Sequence, residues 1–492
     1  MMMEKNVADA PIVDLNELID GQKVRKSSIL FLVIATLAMA ADGFDLSAIG
    51  FVVPELVKDW HITPAQMAPA LTAGIVGLLC GAPLFGYLGD RLGRKKAILI
   101  SLFAYGTLTM ITMAASSLNQ FVVLRFLTGI GMGGMIPNIL ALTAEMAPKR
   151  LRGMFTVIVL FGVPAGIALP GWVAALLVPL YGWPVILLVG GLLPVIIAVV
   201  AHFLLPESLK FLVQRGDRDD EVRRLARSLR PDLSIDSRAR FSAGAAGVSA
   251  GSGSPAKLFK GGLAIITPAL WIALAANQFT NFFALSWLPT LLQSAGLSTA
   301  QAGISASMFS IGGLAGGFVL IFLIDRFGAI PLVALFALGA PLVWMMGMPE
   351  LPAAFLGAII AGAGFCVTGN NFGINAAMVL IYPTPIRSTG AGLAQAMGRV
   401  GSLGAPVIGG ILLAMHLPRQ ELYLAPALAL AVGALASVLL VTMCIRRFGG
   451  YQLDDSSAAE NELRAAGAGK QADLEARVRA ADTVSSVGRA HG

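Results

Sequence analysis

The sequence contains little charge and few residues of the kinds that build catalytic or metal sites. Only 13% of its 492 residues are Asp, Glu, Lys or Arg, about half the fraction that is usual in soluble globular proteins. Its four histidines are scattered, and its three cysteines lie in apolar runs without metal-ligand spacing. No nucleophile and base form a recognisable set. We therefore expect no enzyme, no metal and no bound cofactor.

Long apolar runs take the place of the missing charge. Hydrophobic residues make up 56% of the chain, and a membrane-spanning helix needs about 20 consecutive apolar residues. The runs cover residues 28–53, 65–88, 97–116, 120–146, 154–178, 183–205, 263–292, 301–324, 329–348, 353–381, 388–415 and 423–445. They predict an all-α membrane protein with twelve transmembrane helices in two six-helix bundles.

The polar stretches divide the chain into five segments. These are an N-terminal segment, a first bundle, a central loop, a second bundle and a tail: 1–27, 28–205, 206–262, 263–447 and 448–492. The N-terminal segment lacks the apolar core of a signal peptide, so the first helix is expected to act as the insertion signal. The arginine-rich part of the central loop predicts either an amphipathic helix on the inner leaflet or a solvated helix. The Gly/Ser/Ala run that follows, 242–254, predicts a flexible linker.

Basic residues predict the orientation. If both termini are cytoplasmic, the extracytoplasmic loops contain only Lys58 and Arg419, which agrees with the positive-inside rule. The same distribution explains the basic pI near 9.4 without nucleic-acid binding. We expect a multi-pass membrane protein with both termini in the cytoplasm.

The two halves repeat at a constant offset of 235 residues. The matching positions include Pro54 and Pro289, Gly77 and Gly312, Gly81 and Gly316, Gly129 and Gly364, and Gly166 and Gly401. Six helices separate the copies, so both halves enter the membrane in the same direction. This parallel repeat is typical of two-bundle transporters, whose substrate lies near the midplane between the halves.

Two aspartates, Asp42 and Asp45, interrupt the first apolar run. An intramembrane carboxylate costs about 2.5–3.5 kcal/mol on insertion scales, and such residues usually serve ion pathways. The offset aligns them with Asn277 and Thr280, so only the first bundle carries the acids. We expect proton coupling there, with Asp45 as the first residue to mutate. The alternative is that each aspartate forms an ion pair with a buried arginine and has only a structural role.

Two arginines lie inside predicted helices. At 1.5 Å per residue, Arg125 falls at a depth similar to that of Asp45, and Arg399 falls near the midplane. Guanidinium binds carboxylates with a planar fork. We expect Arg399 to bind a substrate carboxylate, and Arg125 to act in coupling and in substrate binding. Both could instead be structural counter-ions.

Helices seven and ten carry amide side chains that could face the substrate. The candidates for substrate binding are Asn277, Asn281, Asn371 and Asn375. They could hydrogen-bond ring hydroxyls, with an aromatic residue such as Phe372 stacking on the ring. Hydrogen bonds between helices are the other interpretation.

Several motifs identify a family. The stretch GYLGDRLGRKK (86–96) fits the GxxxDRxGRK signature of the major facilitator superfamily, and RFLTGIG (125–131) resembles a second signature. DGFDLSAIGF (42–51), SWLPTLLQSAG (286–296) and YPTPIRSTGAG (382–392) resemble the aromatic acid:proton symporter family within it. One departure is DRFGA (325–329), which lacks a histidine that some relatives have nearby.

The resemblance implies a set of gating residues. In GYLGDRLGRKK, we expect glycine to allow close helix approach and Asp90 to accept bonds from a basic side chain or a helix end. The residues expected to control the conformational change are Gly86, Asp90, Arg91, Gly93, Arg94, Glu145, Arg152, Asp325 and Arg387.

The resemblance also implies a function. Members of the family import hydroxybenzoate- or benzoate-like acids into bacteria by proton symport, driven by the proton gradient and serving the catabolism of aromatic compounds. The resemblance therefore implies a location in a bacterial inner membrane. The expected partners are an aromatic carboxylate, a proton and the bilayer, with the protein acting as a monomer by alternating access. The alternatives are a proton-coupled exporter or antiporter of the same fold, and a symporter of a non-aromatic acid such as muconate.

Overall fold

The computed structural model describes residues 12–215, 219–230, 240–242, 255–260, 263–348, 352–383 and 386–448. The first half contains β1 (Ile12–Asp14), α1 (Leu15–Asp20), α2 (Lys26–Asp59), α3 (Ala68–Leu92), α4 (Arg94–Thr112), α5 (Leu118–Met132), α6 (Met135–Met146), α7 (Arg152–Leu160), α8 (Gly162–Tyr181), α9 (Pro184–Leu204), α10 (Leu209–Arg215) and α11 (Asp219–Leu229). The second contains β2 (Arg240–Ser242), α12 (Leu263–Ser294), α13 (Thr299–Phe327), α14 (Ile330–Met345), α15 (Ala353–Ile381), α16 (Arg387–Ala414), α17 (Arg419–Leu422) and α18 (Leu424–Phe448).

Ten helical segments in the described part of the chain are long and apolar enough to cross a membrane. In this count α5 with α6 forms one segment, and α7 with α8 forms another. The two other predicted spans are α14, with 16 residues, and α4, whose 19 residues begin with three basic ones. The all-α membrane architecture is therefore confirmed, and the two three-residue strands are a small addition to it.

Successive spans run in opposite directions, which gives the molecule two ends. The described chain termini and the segment between α9 and α12 lie at one end, called here the termini side. The turns that follow α2, α4 and α8 lie at the other end, called the distal side. The first bundle consists of α2 to α9, and the second of α12 to α18.

The sequence repeat reappears in the packing of the helices. A Cβ added to Gly77 of α3 would collide with the Phe126 carbonyl of α5, and one added to Gly312 of α13 with the Ala361 carbonyl of α15. Because Phe126 and Ala361 are themselves 235 positions apart, the same contact occurs in both bundles. Three further pairs repeat in this way: Gly81 on Ile130 with Gly316 on Phe365, Gly129 on Gly74 with Gly364 on Phe309, and Gly166 on Ala40 with Gly401 on Ala275.

The two bundles meet on the distal side. Lys58, at the end of α2, donates a hydrogen bond to Gln293, at the end of α12, at 3.0 Å. Glu55 accepts hydrogen bonds from Gln293 and from Thr299 of α13, at 3.2 and 2.8 Å. Lys58 and Gln293 are equivalent positions of the repeat, so their contact lies on the axis that relates the bundles.

A second contact between the bundles joins α8 to α13. The hydroxyl of Ser307 donates to the carbonyl of Ala168 at 2.7 Å, and Gly171 packs against Gly303 without room for a side chain on either. These contacts lie in the distal halves of both helices. The distal half of the interface is therefore closely packed.

The termini side carries a small structure that the sequence did not predict. Strand β1 pairs in parallel with β2, which joins the N-terminal segment to the central loop. The apolar face of α11, with Val222, Ala226 and Leu229, is buried in one cluster with Leu15 and Leu18 of the N-terminal segment. The apolar face of the helix is therefore covered by the N-terminal segment, and contact of its arginine-rich face with the leaflet or with water stays a prediction.

Two other predictions concern segments that lie mostly outside the described residues. The linker predicted over 242–254 overlaps the described chain only at Ser242, which belongs to β2. The tail after Phe448 lies wholly outside it. The first helix begins at Lys26, two residues before the predicted start of the bundle.

Candidate functional site

A buried ion pair occupies the centre of the first bundle. Arg125 of α5 donates to both carboxylate oxygens of Asp45 in α2, at 3.0 and 3.4 Å. The hydroxyl of Thr109 in α4 donates to the same carboxylate at 2.8 Å. Asp45 is fully buried and Arg125 almost so. The common depth predicted for the two residues is confirmed, and the pair holds three helices together.

Asp42 lies one turn from Asp45 on α2, in a different environment. It is fully buried, yet neither of its carboxylate oxygens has a hydrogen-bond partner among the described residues. A buried carboxylate without donors costs much more free energy as an anion than as a neutral acid. Asp42 is therefore suited to hold a proton in this conformation, whereas Asp45 is stabilised as an anion by Arg125.

Tyr105 of α4 belongs to the same region. Its hydroxyl is buried and has no described hydrogen-bond partner, and it interacts electrostatically with both aspartates. The sequence analysis missed this residue because a tyrosine within an apolar run is compatible with simple packing. A buried hydroxyl usually finds a partner, which marks Tyr105 as a candidate neighbour of the proton site.

Arg399 belongs to the opposite bundle and lies within electrostatic range of Asp42. It lies in the middle of α16, is partly exposed, and interacts electrostatically with Asp42. No described hydrogen bond or ion pair uses its guanidinium, unlike that of Arg125. Of the two intramembrane arginines, Arg399 is thus the one with donors available for an incoming carboxylate.

The predicted asparagines occupy three different environments. Asn277 is fully buried, and neither end of its amide has a described partner. Asn281 accepts a hydrogen bond from Thr368 of α15 at 3.4 Å. Asn371 and Asn375 are partly exposed and hydrogen-bonded to each other.

Two glutamines extend the Asn371 and Asn375 pair. Gln278 of α12 accepts from Asn371, and Gln395 of α16 donates to Asn375. Gln395 was missed in the sequence, although its position one turn before Arg399 was a usable signal, because residues four apart share a helix face.

Aromatic rings connect the bundles beside these polar groups. Phe161, between α7 and α8, is stacked between Phe318 of α13 and Phe372 of α15, with ring centroids 4.1 and 4.9 Å apart. Phe372 is one of four aromatic residues that could stack on a substrate ring, with Phe282, Phe283 and Trp287, and in this structure its ring stacks on Phe161. The three rings lie closer to the termini side than the Ser307 contact does.

The signature between α3 and α4 forms a charged cluster on the termini side. Asp90 accepts from Arg94 at 2.6 Å, as predicted for a basic side chain, and Arg94 also approaches Glu145 of α6 at 3.7 Å. The guanidinium of Arg91 lies 4.8 Å from the ring centroid of Tyr87. All these contacts remain within the first bundle.

The glycines of that signature have different surroundings. The close approach expected of glycine in this motif does not occur at Gly86, because nothing lies within 4 Å of the position that its Cβ would occupy. Gly89 instead packs against Asn138 of α6. Gly93 has a φ of +104°, which favours glycine, and it faces Glu207. Glu207 accepts the backbone N–H of Lys95 at 3.0 Å and so anchors the turn.

The remaining gating candidates are Arg387, Arg152 and Asp325. Arg387 donates to the carbonyl of Tyr382 at 3.0 Å, within the second bundle. The buried Nε of Arg152 has no hydrogen-bond partner within the described residues. The side chain of Asp325 is not among those that the structure describes.

A groove of about 720 Å³ lies between α3, α5 and α16, away from the charged residues. Apart from Thr72, its lining consists of aliphatic, aromatic, glycine and proline residues. It offers no cation to a carboxylate. Within the described residues no group of His, Cys, Asp and Glu could hold a metal ion.

Comparison with known sequences identifies the family of this chain. The profile described as Major Facilitator Superfamily matches residues 35–373 and, in a second alignment, residues 270–447. The chain is 34% identical to the gallate transporter of Pseudomonas putida, over 88% of this chain and 97% of the other. It is 32% identical to the 4-hydroxybenzoate transporter PcaK of Pseudomonas aeruginosa (87% and 95%), and 28% identical to the benzoate transport protein of Acinetobacter baylyi (87% and 92%).

Solved structures share the fold. The partially occluded inward open conformation of the xylose transporter XylE from E. coli aligns with a TM-score of 0.61 at 17% identity, covering 83% of this chain and 96% of the other. A bacterial homolog of the human lysosomal transporter Spinster, inward-facing and unoccupied, aligns with a TM-score of 0.61 at 16% identity, covering 86% and 96%. At these identities the likeness concerns the fold alone.

Proposed function

Since this chain belongs to the Major Facilitator Superfamily, and within it to the aromatic-acid transporters, we propose that it imports an aromatic carboxylic acid by proton symport. The relatives named above carry gallate, 4-hydroxybenzoate and benzoate, which supports a hydroxybenzoate- or benzoate-like substrate here. A membrane transporter of this family is not an enzyme, and the driving force of the proposed cycle is the proton gradient.

The proposal places the protein in a bacterial inner membrane with the termini side in the cytoplasm. The basic residues support this orientation, because the distal-side loops and helix ends contain only Lys58 and Arg419. The close packing of the distal half then corresponds to a conformation that is closed toward the outside.

The proposal depends on two groups that lie on opposite bundles: a carboxyl group without described hydrogen-bond donors and a guanidinium without a described ion-pair partner. Asp42 on the first bundle has no hydrogen-bond partner among the described residues, and Arg399 on the second has no described ion-pair partner. A carboxylate substrate can bind Arg399 well only if the competing carboxylate of Asp42 is neutral. Protonation of Asp42 and binding of the acid therefore favour each other.

The cycle follows from that coupling. With the distal side open, Asp42 takes up a proton and the acid binds to Arg399. The bundles then rock about the site. On the cytoplasmic side the higher pH removes the proton, the charged Asp42 competes for Arg399, and the acid leaves. In this cycle Arg125 and Asp45 remain paired with each other throughout.

Uptake of labelled acids by right-side-out membrane vesicles tests the proposal, with inside-out vesicles as the control for direction. The panel contains benzoate, 4-hydroxybenzoate, protocatechuate, gallate and muconate, each with and without a protonophore. We expect accumulation of at least one aromatic acid in right-side-out vesicles, and its loss when the proton gradient collapses. Accumulation that survives the protonophore would exclude symport. Uptake of muconate alone would indicate a non-aromatic substrate, and proton-driven movement outward alone would indicate an exporter.

A further inference from the structure

Four amide side chains of the second bundle form a continuous chain of hydrogen bonds. Gln395 Nε2 donates to Asn375 Oδ1 at 2.5 Å, Asn375 Nδ2 to Asn371 Oδ1 at 3.1 Å, and Asn371 Nδ2 to Gln278 Oε1 at 3.3 Å. The chain connects α16, α15 and α12. Every link runs in the same direction, from a donor NH2 to an acceptor carbonyl. We call these four residues the amide relay.

The amide relay faces the interface between the bundles. Gln395 lies one turn from Arg399 on α16, and Arg399 interacts with Asp42 of the opposite bundle. Asn371 adjoins Phe372, whose ring stacks on Phe161 of the first bundle. Gln395, Asn371 and Asn375 are partly exposed although they belong to membrane-spanning helices. Because residues four apart share a helix face, Gln395 lies on the same face of α16 as Arg399.

Both ends of the relay are open. No described hydrogen bond uses the Oε1 of Gln395 or the Nε2 of Gln278. The Gln395 carbonyl is polarised because its own NH2 already donates along the chain, and such linked bonds strengthen one another. The end near Arg399 thus presents an acceptor, which suits an O–H donor.

We propose that the amide relay selects aromatic acids with a ring hydroxyl, and that Gln395 is the specificity-determining residue. This inference rests on the proposed function. Arg399 holds the carboxylate, and the Gln395 carbonyl accepts the phenolic hydrogen. Side chains one turn apart on a helix have Cβ atoms about 5–6 Å from each other, a separation on the scale of a benzene ring and its substituents. A second ring hydroxyl could accept from the Nε2 of Gln278 at the other end.

The energetic basis is the cost of an unsatisfied group. A site built to hydrogen-bond a substrate hydroxyl disfavours an analogue that lacks it, because the polar group of the site loses its partner. One such hydrogen bond contributes about 0.5–1.5 kcal/mol net, which corresponds to a roughly tenfold ratio of affinities at its upper end. We therefore expect about a tenfold preference for hydroxylated acids over benzoate.

Competition in proteoliposomes containing the full chain tests the proposal. Uptake of the best-transported labelled hydroxybenzoate is measured against unlabelled benzoate and unlabelled 4-hydroxybenzoate. In Gln395→Met, which keeps the side-chain length but cannot accept, the roughly tenfold preference should fall to about one. The matched control Gln214→Met replaces an exposed glutamine of α10 and should leave the preference unchanged.

The outcomes separate the inference from the function. If the unaltered protein takes up no aromatic acid, the proposed function fails and the inference fails with it. If it takes up benzoate but no hydroxylated acid, only the inference fails. If it takes up hydroxylated acids and Gln395→Met keeps the original preference, again only the inference fails. Because a ratio of two competitors does not depend on the amount of protein, partial misfolding cannot imitate the result. Should Gln395→Met not be produced, Gln395→Asn, which withdraws the carbonyl by one methylene, should reduce the same ratio.

Discussion

The two aspartates of α2 are three residues apart and chemically different. Asp45 accepts hydrogen bonds from Arg125 and Thr109, whereas the carboxylate of Asp42 has no partner among the described residues. Composition and helical spacing could predict that both acids lie buried on one side of α2. They could not divide the roles, because the Thr109 contact depends on how α4 packs against α2. The geometry supports Asp42 as the proton carrier of the proposed cycle, whereas the sequence analysis named Asp45 as the first residue to mutate.

Asp42→Asn should separate transport from its energy source. An amide resembles the protonated acid, so Arg399 remains available and exchange of labelled for unlabelled acid across the membrane should persist. Accumulation driven by the proton gradient should be lost, because the asparagine cannot release a proton. Both activities are measured in the same proteoliposomes. Wild-type accumulation by Asp42→Asn would contradict the assignment.

Asp45→Asn provides the contrast. It leaves Arg125 buried without its counter-ion, and breaking a buried pair costs about 3–5 kcal/mol. We expect a clearly lower temperature of unfolding for Asp45→Asn in detergent, and a much smaller change for Asp42→Asn. Equal unfolding temperatures for the two variants would show that the pair does not stabilise the bundle.

At the scale of helices, the repeat was readable in the sequence because close packing demands glycine. Each repeated glycine lies against a carbonyl whose position is also repeated at the offset of 235. The repeat therefore preserved whole backbone contacts, even where the residue that supplies the carbonyl changed. The same reasoning failed at Gly86, where the motif contains a glycine but no neighbouring helix approaches it. A glycine in a sequence therefore predicts a close contact only when a partner surface is also known.

Gly166→Ala and Gly86→Ala should have opposite effects on stability. At Gly166 the new Cβ would collide with the carbonyl of Ala40, and overpacking of this kind costs about 1–3 kcal/mol. At Gly86 there is open space, and alanine is favoured over glycine within a helix by about 0.5–1 kcal/mol. Thermal unfolding of the two purified variants checks this. A lower unfolding temperature for Gly86→Ala would show that this glycine serves packing after all.

At the scale of the whole molecule, the bundles are asymmetric in charge and symmetric in shape. The repeat aligns Arg125 with Ile360, and Asp42 with the neutral Asn277. The shape and the asymmetry were predictable from one sequence, because both are relations between aligned positions. The amide relay was not, since hydrogen bonds among three helices depend on side-chain rotamers that no periodicity encodes. The pairing of β1 with β2 was equally hidden, since three residues form too short a strand to show alternation.

Joining the bundles on the distal side should stop transport. Cysteines at positions 58 and 293 (K58C and Q293C), in a chain whose exposed Cys80 is replaced by serine, can be linked by a short bifunctional thiol reagent, because Lys58 and Gln293 contact each other. We expect uptake to cease after linkage and each single-cysteine variant to remain active. Continued uptake by the linked protein would mean that the distal contact need not open during the cycle.

The pairing of β1 with β2 bears on the order in which the chain can be assembled. Residues 12–14 precede the six spans of the first bundle, and their partners, residues 240–242, follow all six. During synthesis the earlier strand must remain without its partner until the whole first bundle has entered the membrane. The small structure on the termini side can therefore close only over a completed half, which makes its formation a late step in biogenesis and a natural marker that the first bundle is in place.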